Sequence, residues 1–408
     1  MRIANVQPFL MSYPMPEEIV LPFWGGRRTI LKRDAMLIKV TTDTGLTGWA
    51  PGPAHGRASH EIAELIKPFL LGKDPLQWRS LHFRHSPDVE KTYHAVEVAL
   101  LDLVARHEGC AVSELMGGRK RDRIKLYGSA GMYMPPEAYA EEAFAIREMG
   151  FRAYKMRPAL GPDEDIRTVQ LMREATGNDM GLMIDAHTWW RMGDRSYPPE
   201  VIADLATELS KYNPYWLEEP LPPEDHDAYR ALRGAIQIPL ASGEHEQDLE
   251  GFHDLARTRA VDFLQMDVCC QGGFEMGLKV FDLAAENNLR FAFHSWGNTF
   301  EVLVAAHLGI CRDESVVEWL EYPCYSAPGR KGMYPFPLSD EILAERLDIR
   351  DGYLHVPSGP GWGVEVNEKV IDKYPFLPGP WSYFHQNAPR ETIAVTGDHS
   401  VKWINEPR

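Results

Sequence analysis

From about residue 124 to 321, short apolar runs alternate with longer segments whose apolar positions recur at helical spacing. A short apolar run between turn signals suits a buried strand, and a recurrence of about 3.6 residues suits an amphipathic helix. The pattern predicts strands at 124–131, 152–157, 180–185, 214–218, 238–243, 262–267, 290–294 and 316–321. Helical periodicity fills the intervals, as in Pro136–Met149, Asp163–Thr176, Glu200–Tyr212 and Phe274–Asn287. Eight strands alternating with seven helices fit a closed α/β barrel better than an open doubly wound sheet. No Gly-x-Gly-x-x-Gly follows any of these strands, which lowers a dinucleotide-binding reading.

Residues 1–122 follow a different grammar. Ala35–Val40 alternates, Thr42-Asp43-Thr44-Gly45 turns and Leu46–Ala50 returns, which predicts a hairpin. Two helical patterns come next: Ser59–Leu70, capped by Ser59, and Tyr93–His107, with Val96, Leu100, Leu103 and Val104 on one face. The expected organisation is an α+β capping domain over 1–122, a barrel over 123–321, and a Pro- and Gly-rich segment over 322–408 that packs back on the cap.

Composition narrows the function classes. Of 408 residues, 44% are hydrophobic and 25% charged, so a large core is available without disulfides or structural metals. An excess of 59 acids over 43 Lys and Arg, for a net charge of −16, disfavours nucleic-acid and membrane-surface partners. The five cysteines, 110, 269, 270, 311 and 324, are scattered without Cys-x-x-Cys spacing and read as buried thiols of a reducing compartment. Met1 to Pro8 shows no secretory pattern, and no apolar run is long enough to span a bilayer. A soluble, cytoplasmic protein is expected.

Barrel enzymes place their chemistry at the C-terminal ends of the strands. Here those ends carry Lys155 and Arg157, Asp185, Glu218, Glu244, Asp267, His294 and Glu321. From Asp185 onward the spacings are 33, 26, 23, 27 and 27 residues, close to one βα unit each. A lone acid at such a place is more often a surface carboxylate or a helix cap. Three on neighbouring strands, Asp185, Glu218 and Glu244, would repel one another unless a hard divalent cation such as Mg²⁺ joined them. A lone His after an apolar strand is more often a satisfied core residue. Asp267 on the strand beside His294 changes that reading, because a carboxylate fixes the imidazole tautomer and raises its basicity.

These residues resemble the enolase superfamily, and within it the mandelate racemase subgroup. Ser113-Glu114-Leu115-Met116-Gly117-Gly118 looks like the segment leading into such barrels, and Pro360-Gly361-Trp362-Gly363-Val364-Glu365 looks like its closing stretch. The resemblance implies a modified (β/α)₇β TIM-like barrel with a cap built from both termini. It implies Mg²⁺ on Asp185, Glu218 and Glu244, a His294–Asp267 base, and Glu321 as a protonated hydrogen-bond donor to the substrate carboxylate. The bland reading of Glu321 is a salt-bridged structural acid.

Two departures narrow the reaction. Racemases of this subgroup resemble one another in a Lys-x-Lys on strand two, whereas this chain has Lys155-x-Arg157. An arginine stays protonated, so it clamps anions better than it takes protons. His187, two residues beyond Asp185, is similar to an arrangement in galactonate and mannonate dehydratases, where the histidine works near the departing hydroxyl. Its alternative is a pocket-wall histidine. The stretches Leu217–Pro223 and Ser242-Gly243-Glu244-His245 also resemble rhamnonate dehydratases. In the cap, Pro14–Arg28 reads as a mobile flap, or else a plain surface loop. Candidate substrate contacts are Trp24, Arg27, His55 and His245, and Trp189-Trp190-Arg191 closes the pocket or packs on the cap. The expected activity is an acid-sugar dehydratase forming a 2-keto-3-deoxy acid from a small sugar acid, as a homo-oligomer. The alternatives are a racemase or epimerase of a 2-hydroxy acid and a non-catalytic sugar-acid binder.

Overall fold

Two long arms open the chain. β1 (Ile3–Phe23) and β2 (Gly26–Thr42) pair antiparallel from Ile3↔Thr42 to Phe23↔Gly26, with the register shifting between Pro14 and Ile19. The stretch expected as a flap is therefore mostly paired strand. Prolines 14, 16 and 22 hide its alternation from the sequence pattern, and the register shift is where an irregular strand accommodates them. The computed structural model describes residues 1–23, 26–132, 134–158, 160–191, 196–327, 330, 332–386, 391–395 and 401–405. Trp24 lies outside the described residues, as does the side chain of Arg27.

β3 (Thr47–Gly52) completes the expected hairpin against β2. The helix Pro87–Glu108 packs on it and buries Val96, Ala99, Leu100 and Leu103. The preceding helical stretch starts at Gly56, not Ser59, and winds through a wide turn at Ile62–Ile66. His55 caps it: Nδ1 accepts from the Ala58 N–H at 3.0 Å, the work that Ser59 was expected to do.

Eight parallel strands form the barrel: β4 (Arg123–Met132), β5 (Ala153–Arg157), β6 (Gly181–Asp185), β7 (Trp216–Glu218), β8 (Leu240–Ser242), β9 (Phe263–Met266), β10 (Arg290–Phe293) and β11 (Val317–Pro323). β11 closes on β4 from Trp319↔Lys125 to Pro323↔Ser129. Inside, each strand contributes one side chain to a single plug: Tyr127, Ala153, Met183, Trp216, Ala241, Phe263, Ala292 and Trp319. Large rings are interspersed with alanines, and Trp216 meets Tyr127 at 5.4 Å and Phe263 at 5.1 Å. This plug seals the lower barrel and is the floor of the site.

The C-terminal segment divides between the two bodies. β12 (Asp348–Arg350) and β13 (Tyr353–His355) add antiparallel to barrel strand β4, and only later does β14 (Ser382–Gln386) pair with β2 of the cap. β15 (Glu391–Val395) and β16 (Val401–Asn405) extend that sheet. Buried Asp102 holds the seam, accepting from the Trp49 N–H at 2.9 Å and the Trp362 N–H at 3.1 Å. Of the cysteines, 269, 311 and 324 are buried, but Cys110 is half-buried and Cys270 is exposed, against the expectation for all five. No described helix is long and apolar enough to cross a membrane.

Candidate active site

Strand side chains alternate, so the residue two positions beyond the plug points back into the barrel, one layer higher. That step reaches Ser129, Lys155, Asp185, Glu218, Gln265, His294 and Glu321 from seven of the eight strands. On β8 it reaches Gly243, at φ 129°, where a Cβ would stand 2.5 Å from the Gln265 carbonyl oxygen. Only glycine fits this close approach, and it delivers Glu244 to the rim. A plug of packed rings below and a charged layer above follow from one period-two pattern.

Lys155 is wholly buried at the centre of the layer. Its Nζ lies 2.7 Å from Glu218 Oε1, 3.0 Å from Glu321 Oε1 and 3.6 Å from Asp185 Oδ2. Arg157 sets Nε 3.0 Å from Asp185 Oδ2 and Nη2 3.4 Å from Glu321 Oε1, with its guanidinium 4.0 Å over the Trp296 ring. Burial works against both cations, but the surrounding carboxylates outweigh it and keep both protonated. Arg157 is thus held as a cation.

Glu321 departs from expectation. Burial pushes its carboxyl up, but Lys155, His294 and Arg157 bring it down to about 2, which favours the carboxylate over the neutral donor that the resemblance implies. It accepts from the Ser295 N–H at 2.9 Å. Glu218 goes the other way: burial, with Asp185, Glu244 and Glu321 adding to it, pushes it up to about 8 despite Lys155. Three carboxyl groups, Asp185, Glu218 and Glu321, thus crowd the two cations, and Glu218 is the one whose ionised form is least favoured.

His294 presents Nδ1 to Asp267 Oδ2 at 3.2 Å, and Nε2 lies 3.3 Å from Glu244 Oε2. Burial favours the neutral ring, but Glu244, the Asp267 hydrogen bond and Glu321 raise its pKa to about 10. His187 Nδ1 meets Asp185 Oδ1 at 2.5 Å, and burial leaves its pKa lowered. Thus two histidines of opposite tendency face the same mouth.

Asp185 and Glu218 are adjacent in register, and both reach the buried layer with Glu244 at the rim. Among the described residues, however, the ligand atoms that come within 4.8 Å of one another belong to Glu219, Glu244 and His245. Glu218 is engaged by Lys155 and by the Trp216 indole Nε1–H at 3.0 Å, and Asp185 by His187 and Arg157. The fit of a divalent ion rests on two buried oxygens: among the described residues Glu219 Oε2 has no hydrogen-bond partner, and Glu244 Oε2 has none beyond its 3.3 Å ion contact with His294 Nε2. Two carboxylate oxygens without hydrogen bonds, beside a layer of buried carboxyl groups, fit a hard cation. Glu219 sits at φ 41° and was missed as a site residue, although the acidic doublet Glu218-Glu219 before Pro220 was the available signal.

His245 links Glu219 Oε1, 2.8 Å from Nδ1, to Arg191, 2.7 Å from Nε2. Trp190 donates to the Glu219 carbonyl at 2.9 Å, and Trp189 donates to buried Asp165 at 3.1 Å, so this loop packs on the barrel. His55 serves as a helix cap in the N-terminal domain. Also unforeseen were Gln265, whose buried amide has no partner, and the rings of Trp296 and Tyr325 beside Arg157.

Comparison with known proteins accords with this geometry. Residues 138–370 match the enolase C-terminal domain-like family model, and residues 12–117 match the mandelate racemase / muconate lactonizing enzyme N-terminal domain. The chain is similar to the D-galactarolactone cycloisomerase of Agrobacterium fabrum, at 27% identity over 92% of this chain and 99% of that one. It is also similar to the D-mannonate dehydratase of Rhizorhabdus wittichii, at 27% identity over 86% and 95%. Among solved structures, the 3,6-anhydro-D-galactonate cycloisomerase of Zobellia galactanivorans aligns with a TM-score of 0.75 and 29% identity, covering 92% of this chain and 99% of that one. With both domain models matched in sequence order and a sealed barrel capped by an antiparallel sheet, the chain belongs to the mandelate racemase / muconate lactonizing enzyme family of the enolase superfamily.

Proposed function

We propose that the protein is an acid-sugar dehydratase that removes the proton α to a carboxylate and expels the neighbouring hydroxyl. The observation that carries this reading is the pair of histidines at one mouth, His294 on Asp267 at 3.2 Å and His187 on Asp185 at 2.5 Å. His294 Nε2 takes the proton from carbon 2, breaking the C–H bond. His187, entering the step protonated, gives its own proton to the carbon-3 hydroxyl, which leaves as water. The resulting enol tautomerises to the 2-keto-3-deoxy acid, and solvent carries the proton held by His294 back to His187. Lys155 and Arg157, both kept charged by their carboxylates, attract and orient the substrate carboxylate. A Mg²⁺ held by Asp185, Glu218 and Glu244 would offset the negative charge that develops on that carboxylate. Positive charge at Glu244 would also weaken the pull that keeps His294 protonated.

The names of relatives support the class: dehydratases of D-mannonate, D-xylonate and D-gluconate are similar along most of this chain. Arg157 in place of a second lysine supports elimination over racemisation, because no neutral base faces His294 from β5. A second reading, cycloisomerisation, is favoured by the near-complete coverage of the two cycloisomerases. One experiment separates them. A panel of aldonates, aldarates and their lactones is incubated with enzyme and Mg²⁺, and products are weighed by mass spectrometry. Loss of one water with appearance of a 2-keto acid is expected. A product of unchanged mass with an opened or rearranged ring gives the isomerase reading, and one of unchanged mass that NMR shows to be inverted at carbon 2 alone gives the racemase.

A further inference from the structure

Arg33 is an outlier among the buried cations. It lies on β2 opposite Tyr13 and is 3% exposed. Its Nε reaches the Met333 carbonyl at 3.4 Å, while Nη2 has no partner. The adjacent Lys32 pairs with Asp34 at 3.0 Å. Arg121 and Arg233 also have buried nitrogens without hydrogen bonds, but each has a carboxylate, Glu314 and Asp262 respectively. Among the described residues Arg33 has none within ion-pair range. Asp34 acts on it only beyond contact range, and a buried charge without a contacting counter-charge is costly to hold. The Tyr334 and Trp381 rings, each 4.7 Å from the guanidinium, offset part of that cost but leave Nη2 unsatisfied.

A second unsatisfied donor accompanies it. Tyr325 is 4% exposed and its hydroxyl has no partner. The cations whose charge bears on that hydroxyl are Arg157 and Arg33. Rings connect the two: Trp296 lies under Arg157 at 4.0 Å and meets Tyr334 at 4.9 Å, and Tyr334 lies under Arg33. Tyr325 packs on both rings, at 6.0 and 6.1 Å. An aromatic wall thus runs from the barrel's anion clamp to the cap, with the Tyr325 hydroxyl along it and the Arg33 Nη2 at its cap end, both without hydrogen bonds among the described residues.

We propose that Arg33 and Tyr325 form a second anion subsite, which takes the carboxylate at the end of the substrate remote from the reacting one, so that the preferred substrates are sugar diacids, the aldarates. The proposal rests on the acid-sugar reading above and narrows it. An aldonate would place a neutral hydroxymethyl group against the guanidinium and leave the charge unpaired, which is how a buried polar site rejects a near-isostere. The net charge of −16 makes the need sharper, since a dianion approaches this surface only toward local cations.

The test uses matched acids that differ only at the last carbon: galactarate against galactonate, and glucarate against gluconate. Wild-type kcat/KM is expected to favour the diacid by roughly 10²-fold, mainly through KM, as pairing a desolvated charge implies. Arg33→Met should lower the diacid-to-monoacid ratio by about that factor, and Tyr325→Phe should lower it about tenfold. A purely structural role would depress both acids together and leave the ratio unchanged, which overturns the subsite, as does a wild-type preference for the monoacid. Should Arg33→Met fail to fold, Tyr325→Phe, which keeps the ring, decides. If no acid of either kind loses water, the dehydratase reading fails, and calorimetric binding of the same pairs to wild type and Tyr325→Phe still tests the subsite.

Discussion

Lys155 Nζ stands 2.7 Å from Glu218 Oε1, and both side chains are wholly buried. The same ammonium lies 3.0 Å from Glu321, so one cation serves two carboxyl groups inside the barrel. Removing one partner of a buried pair leaves a charge that neither water nor protein offsets. Lys155→Met is therefore expected to destabilise the fold by about 3–5 kcal/mol and to abolish turnover. Urea unfolding checks it. A midpoint equal to wild type would mean that packing, not charge, holds this layer.

Oxygens without partners predict the metal dependence. Glu244→Gln replaces a carboxylate whose Oε2 has no hydrogen bond, so the barrel should stay folded while Mg²⁺ affinity, read by calorimetry, falls more than about tenfold. Activity should also be lost on chelation and return with Mg²⁺. Full turnover after exhaustive chelation would exclude a metal requirement.

The two histidines separate by isotope exchange. His294→Asn should lose both product and exchange of the α-proton with deuterated solvent, because the base itself is gone. His187→Asn should block dehydration yet permit exchange, because the α-proton is still taken. Each loss is expected to be about 10²–10⁴ in rate. Near-wild-type turnover in His187→Asn would make that residue pocket wall.

His307 sets a pH dependence outside the site. It is wholly buried, its Nε2 lies 3.0 Å from the Trp362 carbonyl, and burial lowers its pKa to about 4 from the ordinary 6.5. Between those values the unfolded chain binds more protons than the folded one, so stability falls as pH drops from about 6.5 toward 4. A shift of this size corresponds to about 3 kcal/mol. His307→Gln, whose amide can still donate to Trp362, should flatten this part of the acid limb in urea unfolding at pH 7, 5.5 and 4.5. An acid limb as steep as wild type would assign the loss to other groups.

Much of this molecule is written locally. The strand run, the helices between and the acids at the strand ends follow from period-two and helical patterning, because the barrel buries both faces of each strand and leaves only its end for polar residues. The step from Trp216 to Glu218, or from Ala292 to His294, is visible as two residues in sequence and one layer in space. Prolines concealed the arms of β1 and β2, and the destination of β12 and β13 on β4 depends on a free strand edge that no local pattern encodes.

What the tertiary structure alone decided is which charges meet. The sequence by itself determined that Glu321, Lys155 and Arg157 sit at strand ends, and the closing of β11 on β4 is what sets Lys155 3.0 Å from Glu321 and favours the carboxylate form of that acid. The sequence carries Glu219, Arg33 and Tyr325 without distinguishing them from other polar residues. Only packing shows that each retains a buried polar atom with no partner. Protonation and satisfaction depend on distance and desolvation, and both are fixed when elements far apart in the chain come together.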